Sequence, residues 1–136
     1  MTIAVNETAD RKVEAANKQL VLDMWHEVLN GRNFTAAAKY IAEDYIQHSP
    51  SAEQGLAGLM HFLTEVEFPG ATPLEPGTYP LTQFVHVIAE GDLVQLMFQR
   101  EIPDPKDPAE LIRIWWYDTY RCKGGMIVEH WDSALE

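Results

Sequence analysis

Hydrophobic positions near the start of the chain recur at steps of three and four residues. They are Val13, Ala16, Leu20, Met24 and Val28. This spacing predicts an amphipathic helix. We expect it to end at Asn30-Gly31, because glycine readily adopts the left-handed conformation that closes a helix. Residues 1–10 precede this pattern and are predicted to be a flexible tail.

Two shorter helices and one short strand are predicted before residue 70. Residues 34–41 contain three consecutive alanines after Asn33, which can cap a helix. Ser51 and Gln54 form an S-x-x-Q capping box ahead of an apolar stripe, so a third helix should begin there and end at Pro69. Between these helices, residues 45–48 are typical of a strand.

The second half of the chain changes to a strand pattern. After a proline-rich loop at residues 69–80, strands are predicted at 82–89, 93–100, 111–122 and 126–132. A polar, proline-rich connection is expected at residues 103–110. Three helices followed by an antiparallel meander indicate the α+β class, and 136 residues suit one domain spanning 1–136.

Alternation along the longest strand places a carboxylate on an apolar face. Trp116, Asp118 and Tyr120 share that face, because side chains two residues apart point the same way. Burial raises the pKa of a carboxyl group, which is how one becomes a general acid or base near neutrality. The alternative is a structural ion pair of Asp118 with Arg100 or Arg121.

The opposite face of the same strand also carries aromatic residues, Trp115 and Tyr117. A sheet with one face in water normally shows polar residues there. A second copy of the chain would cover this face, so we expect a homodimer.

Histidines are the other candidates for chemistry. Of the five, His48, His86 and His130 lie on predicted strands, but no H-x-H or H-E-x-x-H pairing is present. The spacing therefore predicts no metal site, and we expect no cofactor. His48 and His130 suit hydrogen bonding or proton transfer in a pocket. Alternatively, they are polar residues at strand ends.

The composition of the chain disfavours several classes of binding partner. The net charge is -11 and the pI is near 4.7, which disfavours nucleic acid and anionic membranes. Cys122 is the only cysteine, so no intramolecular disulfide can form. No apolar stretch suits a signal peptide or a membrane span, and a cytoplasmic location is expected. Motifs for triad hydrolysis, phosphate loops and dinucleotide binding are absent.

Two segments resemble the SnoaL-like polyketide cyclases of the NTF2-like superfamily. Residues 45–50 read Y-I-Q-H-S-P, and residues 118–121 read D-T-Y-R before a glycine turn and I-V-E-H-W-D. Ser49 stands where the family usually has asparagine. The resemblance implies a cone of curved antiparallel sheet closed by three N-terminal helices, a small-molecule pocket and commonly a homodimer.

The same resemblance implies a function. Asp118 matches the family's acid/base aspartate, and His48 and His130 match pocket positions that would orient or polarise oxygen atoms. Residues assigned to substrate binding are Gln47, Trp116, Tyr120 and Trp131. We expect a cofactor-independent lyase or isomerase acting on a small, hydrophobic carbonyl compound. The alternatives are a non-catalytic ligand-binding module and a dimeric interaction protein with a vestigial pocket.

Overall fold

The helices lie in the first half of the chain. The computed structural model describes residues 7–50 and 52–134. The helical segments are α1 (Glu7–Met24), continued by a π-helical segment (Trp25–Asn30), a 3-10 helix (Phe34–Lys39), and α2 (Gly55–His61), continued by a second π-helical segment (Phe62–Glu67). None of these helices is both long enough and apolar enough to span a bilayer.

Five strands form one sheet. They are β1 (Ile41–Gln47), β2 (His86–Glu90), β3 (Leu93–Asp104), β4 (Asp107–Lys123) and β5 (Met126–Asp132). The spatial order is β1-β5-β4-β3-β2, and β2 to β5 form the predicted antiparallel meander. β1 adds to β5 in parallel, which is possible because the long connection through α2 and the following strands separates them. The α+β prediction is confirmed, with a mixed sheet.

The N-terminal helix differs from its prediction at both ends. It already includes residues 7–10 of the expected tail, and residues 1–6 lie outside the described residues. Gly31 has a right-handed φ of -81°, whereas Arg32 takes the positive φ of 57°. A Cβ on Gly31 would lie 2.6 Å from the Glu27 carbonyl and 2.7 Å from the Tyr79 hydroxyl. Glycine is needed there for space.

The first capping prediction, for Asn33, is wrong, and half of the second, the capping box of Ser51 and Gln54, lies outside the described residues. Asn33 makes no side-chain capping bond, and the 3-10 helix ends at Lys39 because Ile41 already belongs to β1. Ser51 lies outside the described residues. Gln54 precedes α2 without capping it, and its side chain instead bonds the backbone N–H and carbonyl of Gln47.

A long hairpin replaces the connection expected at residues 103–110. β3 and β4 remain paired up to Pro103 and Leu111, and only a tight turn at residues 105–106 joins them. The register shifts between Pro103 and Asp104, where a proline without an N–H is tolerated.

The core fills the space between the helices and the inner face of the sheet. Its largest fully buried side chains are Val21, Val28, Val94, Leu96 and Ile127. The alternation predicted for β4 is observed. Asp118 and Tyr120 are buried on the inner face, whereas Trp115 is 50% exposed and Tyr117 41% exposed on the outer face.

Candidate functional site

A cavity of about 430 Å³ lies between the helices and the inner face of the sheet. This volume is within the range of small-molecule sites. Aromatic and aliphatic side chains form most of its wall, including Trp25, Phe62, Phe98 and Trp116. At one end the wall is polar, with residues contributed by β1, β4 and β5. These are Tyr45, Gln47, Asp118, Tyr120, His130 and Asp132.

A buried carboxylate–histidine pair is at the centre of the polar end. The Asp118 Oδ1 lies 2.6 Å from the His130 Nε2. Asp118 is only 5% exposed and His130 7% exposed. The antiparallel pairing of β4 and β5 brings them together, since His130 is the partner of Tyr120, two residues beyond Asp118 on the same face.

The protonation of His130 follows from its other neighbour, Gln47. The Ser49 backbone N–H donates to the Gln47 Oε1 at 2.9 Å, which identifies that atom as the oxygen. The His130 Nδ1 is 2.9 Å from the same oxygen and must therefore carry a proton. The Nε2 then shares a single proton with Asp118, as imidazolium with carboxylate or as imidazole with carboxylic acid.

The environment of Asp118 raises its pKa. Burial is the largest cause, the hydrogen bond and charge of His130 act in the opposite direction, and the nearby Asp132 raises the pKa further. The Oδ1 bonds His130, and a hydrogen bond from the Trp116 indole to the carboxylate also acts to lower the pKa. A raised pKa makes the carboxylate a stronger base, which suits an aspartate for general acid–base chemistry.

Two tyrosine hydroxyls complete the polar end. Tyr120 accepts a hydrogen bond from the Trp25 indole N–H at 2.9 Å, and Tyr45 accepts one from the Gln47 amide at 2.6 Å. Neither hydroxyl donates its own proton to another described residue. Burial raises the pKa of both, so they remain donors. Each can donate to a ligand oxygen. Tyr45 was not predicted, although it lies two residues before Gln47 on one strand face.

Most of the predicted site residues meet in the cavity, but two do not. Gln47, Trp116, Asp118, Tyr120 and His130 line it.

His48 and Trp131 lie on the outer face instead, where their rings stack at 4.7 Å and the His48 Nε2 bonds Glu129 at 2.7 Å. Each follows an inward-pointing residue, and strand neighbours point to opposite faces. The expectation that His48 shares the cavity of Asp118 is therefore not met.

The structural alternative for Asp118 is also not observed. Arg121 points outward, as alternation predicts, and bonds Asp92 and Glu129. Arg100 stacks on Trp116. The partner of Asp118 is His130.

Three groups in the polar end could in principle hold a cation. Ligand atoms of Asp118, His130 and Asp132 lie within 4.8 Å of one another. The His130 Nε2 already has Asp118 as its hydrogen-bond partner at 2.6 Å. A metal would have to replace the proton between them.

The chain is an α+β protein in which helices cover a sheet and enclose a cavity with one polar end, and its fold is that of a solved NTF2-like protein from Burkholderia pseudomallei. More narrowly, the chain belongs to the family of SnoaL-like domains, whose model matches residues 22–130. This confirms the resemblance seen in the motifs. A search of curated proteins found no match.

Solved structures share the fold at low sequence identity. A candidate SnoaL-like polyketide cyclase from Jannaschia sp. CCS1 has a TM-score of 0.65 and 17% identity, over 98% of this chain and 90% of that one. A candidate ketosteroid isomerase from Kribbella flavida has 0.60 and 18%, over 90% and 82%. An LEH-like epoxide hydrolase from M. tuberculosis has 0.61 and 13%, over 88% and 82%. Since structures named for three different activities share this fold, the site must decide the chemistry.

Proposed function

We propose that the protein is a cofactor-independent lyase or isomerase that moves a proton next to the carbonyl group of a small, largely apolar compound. The observation that carries the proposal is the buried pair of Asp118 and His130, 2.6 Å apart, at the polar end of an apolar cavity. Apolar walls bind the body of a ligand, and the few polar groups orient its reacting end.

The proposed reaction begins with proton abstraction. The Asp118 Oδ2 takes a proton from the carbon beside the carbonyl, and the electrons of that C–H bond form a C=C bond while the carbonyl oxygen becomes negative. Tyr120 and Tyr45 donate hydrogen bonds to this oxygen, as oxyanion donors do. Asp118 then returns the proton to another carbon in an isomerisation. In an aldol-type closure the enolate carbon attacks a second carbonyl carbon of the substrate, so that a C–C bond forms and the π bond of that carbonyl breaks. Asp118 then gives its proton to the resulting alkoxide oxygen.

The raised pKa of Asp118 matters for this step. An exposed aspartate with a pKa of about 3.9 is a weak base toward a C–H proton. Burial moves the pKa toward the working pH, where general acid–base catalysis is most effective.

Hydrogen–deuterium exchange tests the proposal without knowledge of the natural substrate. Aryl ketones with exchangeable protons beside the carbonyl are incubated with the protein in D₂O and followed by proton NMR. We expect the protein to accelerate exchange, and Asp118→Asn to slow it by about 10²- to 10⁴-fold. Glu129→Gln, on the outer face, is the matched control and should retain the parent rate.

Binding of the same ketones, measured alongside exchange, distinguishes an enzyme from a non-catalytic ligand-binding module. If the ketones bind but the parent and Asp118→Asn proteins exchange protons at the same rate, the catalytic assignment is wrong. The protein is then a non-catalytic ligand-binding module.

We also propose that no metal takes part, so chelator treatment should leave the rate unchanged. Stoichiometric metal in the purified protein would contradict this.

We further propose that the protein is a homodimer through the outer face of the sheet. Large apolar side chains stand exposed there, including Ile88, Leu111, Trp115 and Tyr117. A specific contact should bury more than about 1,000 Å² in total. We expect sedimentation to report a dimer and Trp115→Glu to shift it toward monomer. A parent protein that is monomeric at micromolar concentration would contradict the proposal.

A further inference from the structure

The cavity has a second polar region, which is positively charged. Arg32 and Arg100 both line it, as does Glu67. The chain has only ten lysines and arginines against 21 acidic residues. Two guanidinium groups in one small cavity therefore stand out against the charge of the whole chain.

The sheet separates the backbone of Arg100 from the backbone of Asp118. It lies on the inner face of β3, four residues beyond Leu96, which pairs with Asp118. Four residues of a strand span about 13 Å. The Arg100 guanidinium lies 4.4 Å from the centre of the Trp116 ring, and Trp116 stands between the two positions along β4. The cavity thus has an acid/base end, an aromatic middle and a cationic end.

Arg32 reaches the cationic end from an unusual backbone position. Its φ of 57° is the only positive φ among the described non-glycine residues, and such a conformation is uncommon for a residue with a side chain. The guanidinium lies 3.7 Å above the Phe68 ring and donates to the Leu29 carbonyl. Burial lowers its pKa. A partly buried cation held in a strained conformation suggests a functional constraint.

The arginines lack a sufficient counterion. Glu67 is the carboxylate near both, and it is 3.9 Å from the Arg100 Nη2, beyond hydrogen-bonding distance. Within the described part of the chain, neither guanidinium donates a hydrogen bond to a carboxylate. Two positive charges against one negative charge leave a net charge of one unit and several free N–H donors.

We propose that Arg32 and Arg100 form a subsite for a carboxylate on the ligand, so that the substrate is an elongated keto acid with an apolar body. The planar N–H fork of arginine matches a carboxylate. A single negative charge balances the surplus of the cluster, whereas a phosphate would bring nearly two. The carboxylate subsite stands on its own contacts, while the carbonyl end rests on the proposed function.

A rigid probe tests this arrangement. Acetylnaphthoate carries an acetyl group and a carboxylate at opposite ends of a naphthalene, and its methyl ester is the neutral match. Binding of both is measured by fluorescence titration. We expect the acid to bind about 10- to 100-fold more tightly than the ester, the range of charge-assisted hydrogen bonds.

Three variants identify the source of the preference. Arg100→Gln and Arg32→Asn remove one charge each, and asparagine tolerates the positive φ at position 32. Each should weaken acid binding more than ester binding, so that the ratio of the two affinities falls toward one. Ester binding that persists in a variant reports an intact cavity. Arg113→Gln is the charge-matched control, because Arg113 is exposed on the outer side of the hairpin and pairs with Glu101. It should retain the preference.

Equal binding of acid and ester by the parent protein, which requires no variant, would overturn the subsite. A preference that survives in both cavity variants, or that Arg113→Gln also abolishes, would overturn it too. The acetyl protons keep the two proposals separate. Arginine-dependent binding without proton exchange supports the subsite and counts against the proposed reaction, whereas exchange without a preference for the acid does the reverse.

Discussion

The sheet carries two histidine–carboxylate pairs on opposite faces. On the inner face the His130 Nε2 is 2.6 Å from Asp118, and on the outer face the His48 Nε2 is 2.7 Å from Glu129. The inner pair is buried, whereas the side chains of the outer pair are 41% and 19% exposed. The contacts are alike in chemistry and length. Their surroundings differ.

The surroundings reverse the effect on the carboxyl group. Burial raises the pKa of Asp118 despite its histidine partner. For Glu129 the hydrogen bond from His48 is the largest cause, Arg121 acts in the same direction, and the pKa is lowered. An acid/base is therefore produced by the cavity around the pair. The outer pair is a partly exposed surface contact, and such contacts are worth little on their own.

Replacing each histidine with glutamine should give the largest difference in activity between the two pairs. The glutamine amide in His130→Gln cannot take up or release a proton beside Asp118 as imidazole can. Ketone proton exchange should therefore fall by about 10²-fold. His48→Gln should keep the parent rate, because it faces away from the cavity. The NMR exchange assay measures both. Equal losses in the two variants would mean that burial does not distinguish the pairs.

Gln47 provides a test of stability. In Gln47→Leu the Ser49 N–H and the His130 Nδ1–H lose their acceptor, and unfolding free energy should fall by about 1–3 kcal/mol. Urea unfolding measures the loss, and nitrogen NMR of His130 should show that its tautomer is no longer fixed. Glu129→Gln should destabilise the protein far less. An unchanged tautomer in Gln47→Leu would contradict the positioning role.

Local sequence patterns predicted the antiparallel meander and which side chains of β4 point inward. Alternation placed Asp118 inward and Arg121 outward, and the structure agrees, because both depend only on the parity of residues within one strand. The extension of β3 to Pro103 was not predicted, since pairing with β4 outweighs the local preference of proline.

The choice between the histidines could not be made locally. Gln47 and His48 are strand neighbours, as are His130 and Trp131, so alternation excludes one of each pair from the cavity without saying which. The parallel pairing of β1 with β5 decides it by setting Gln47 beside His130. That register joins segments 83 residues apart. Arg32 was missed because a positive φ after Gly31 leaves no clear sequence signal.

The dependence of stability on pH should have opposite signs for the two carboxylates, although the effect is the smallest of those predicted. The folded-state pKa of Asp118 is raised, so its contribution favours folding below the unfolded pKa and is lost as the pH rises through the folded pKa. Asp118→Asn should therefore gain melting temperature relative to the parent as the pH rises.

The folded-state pKa of Glu129 is lowered, so its contribution is present above the unfolded pKa and is lost as the pH falls through the folded one. Glu129→Gln should be less stable than the parent at neutral pH, and the difference should vanish in acid. Melting curves should run from about pH 2 to pH 8, because the Glu129 transition lies below the ordinary glutamate pKa of about 4.3 and the Asp118 transition above the ordinary aspartate pKa of about 3.9. Parallel curves for the two variants would show that the inner carboxylate gains as much from ionisation as the outer one, and the acid/base role of Asp118 would lose its physical basis.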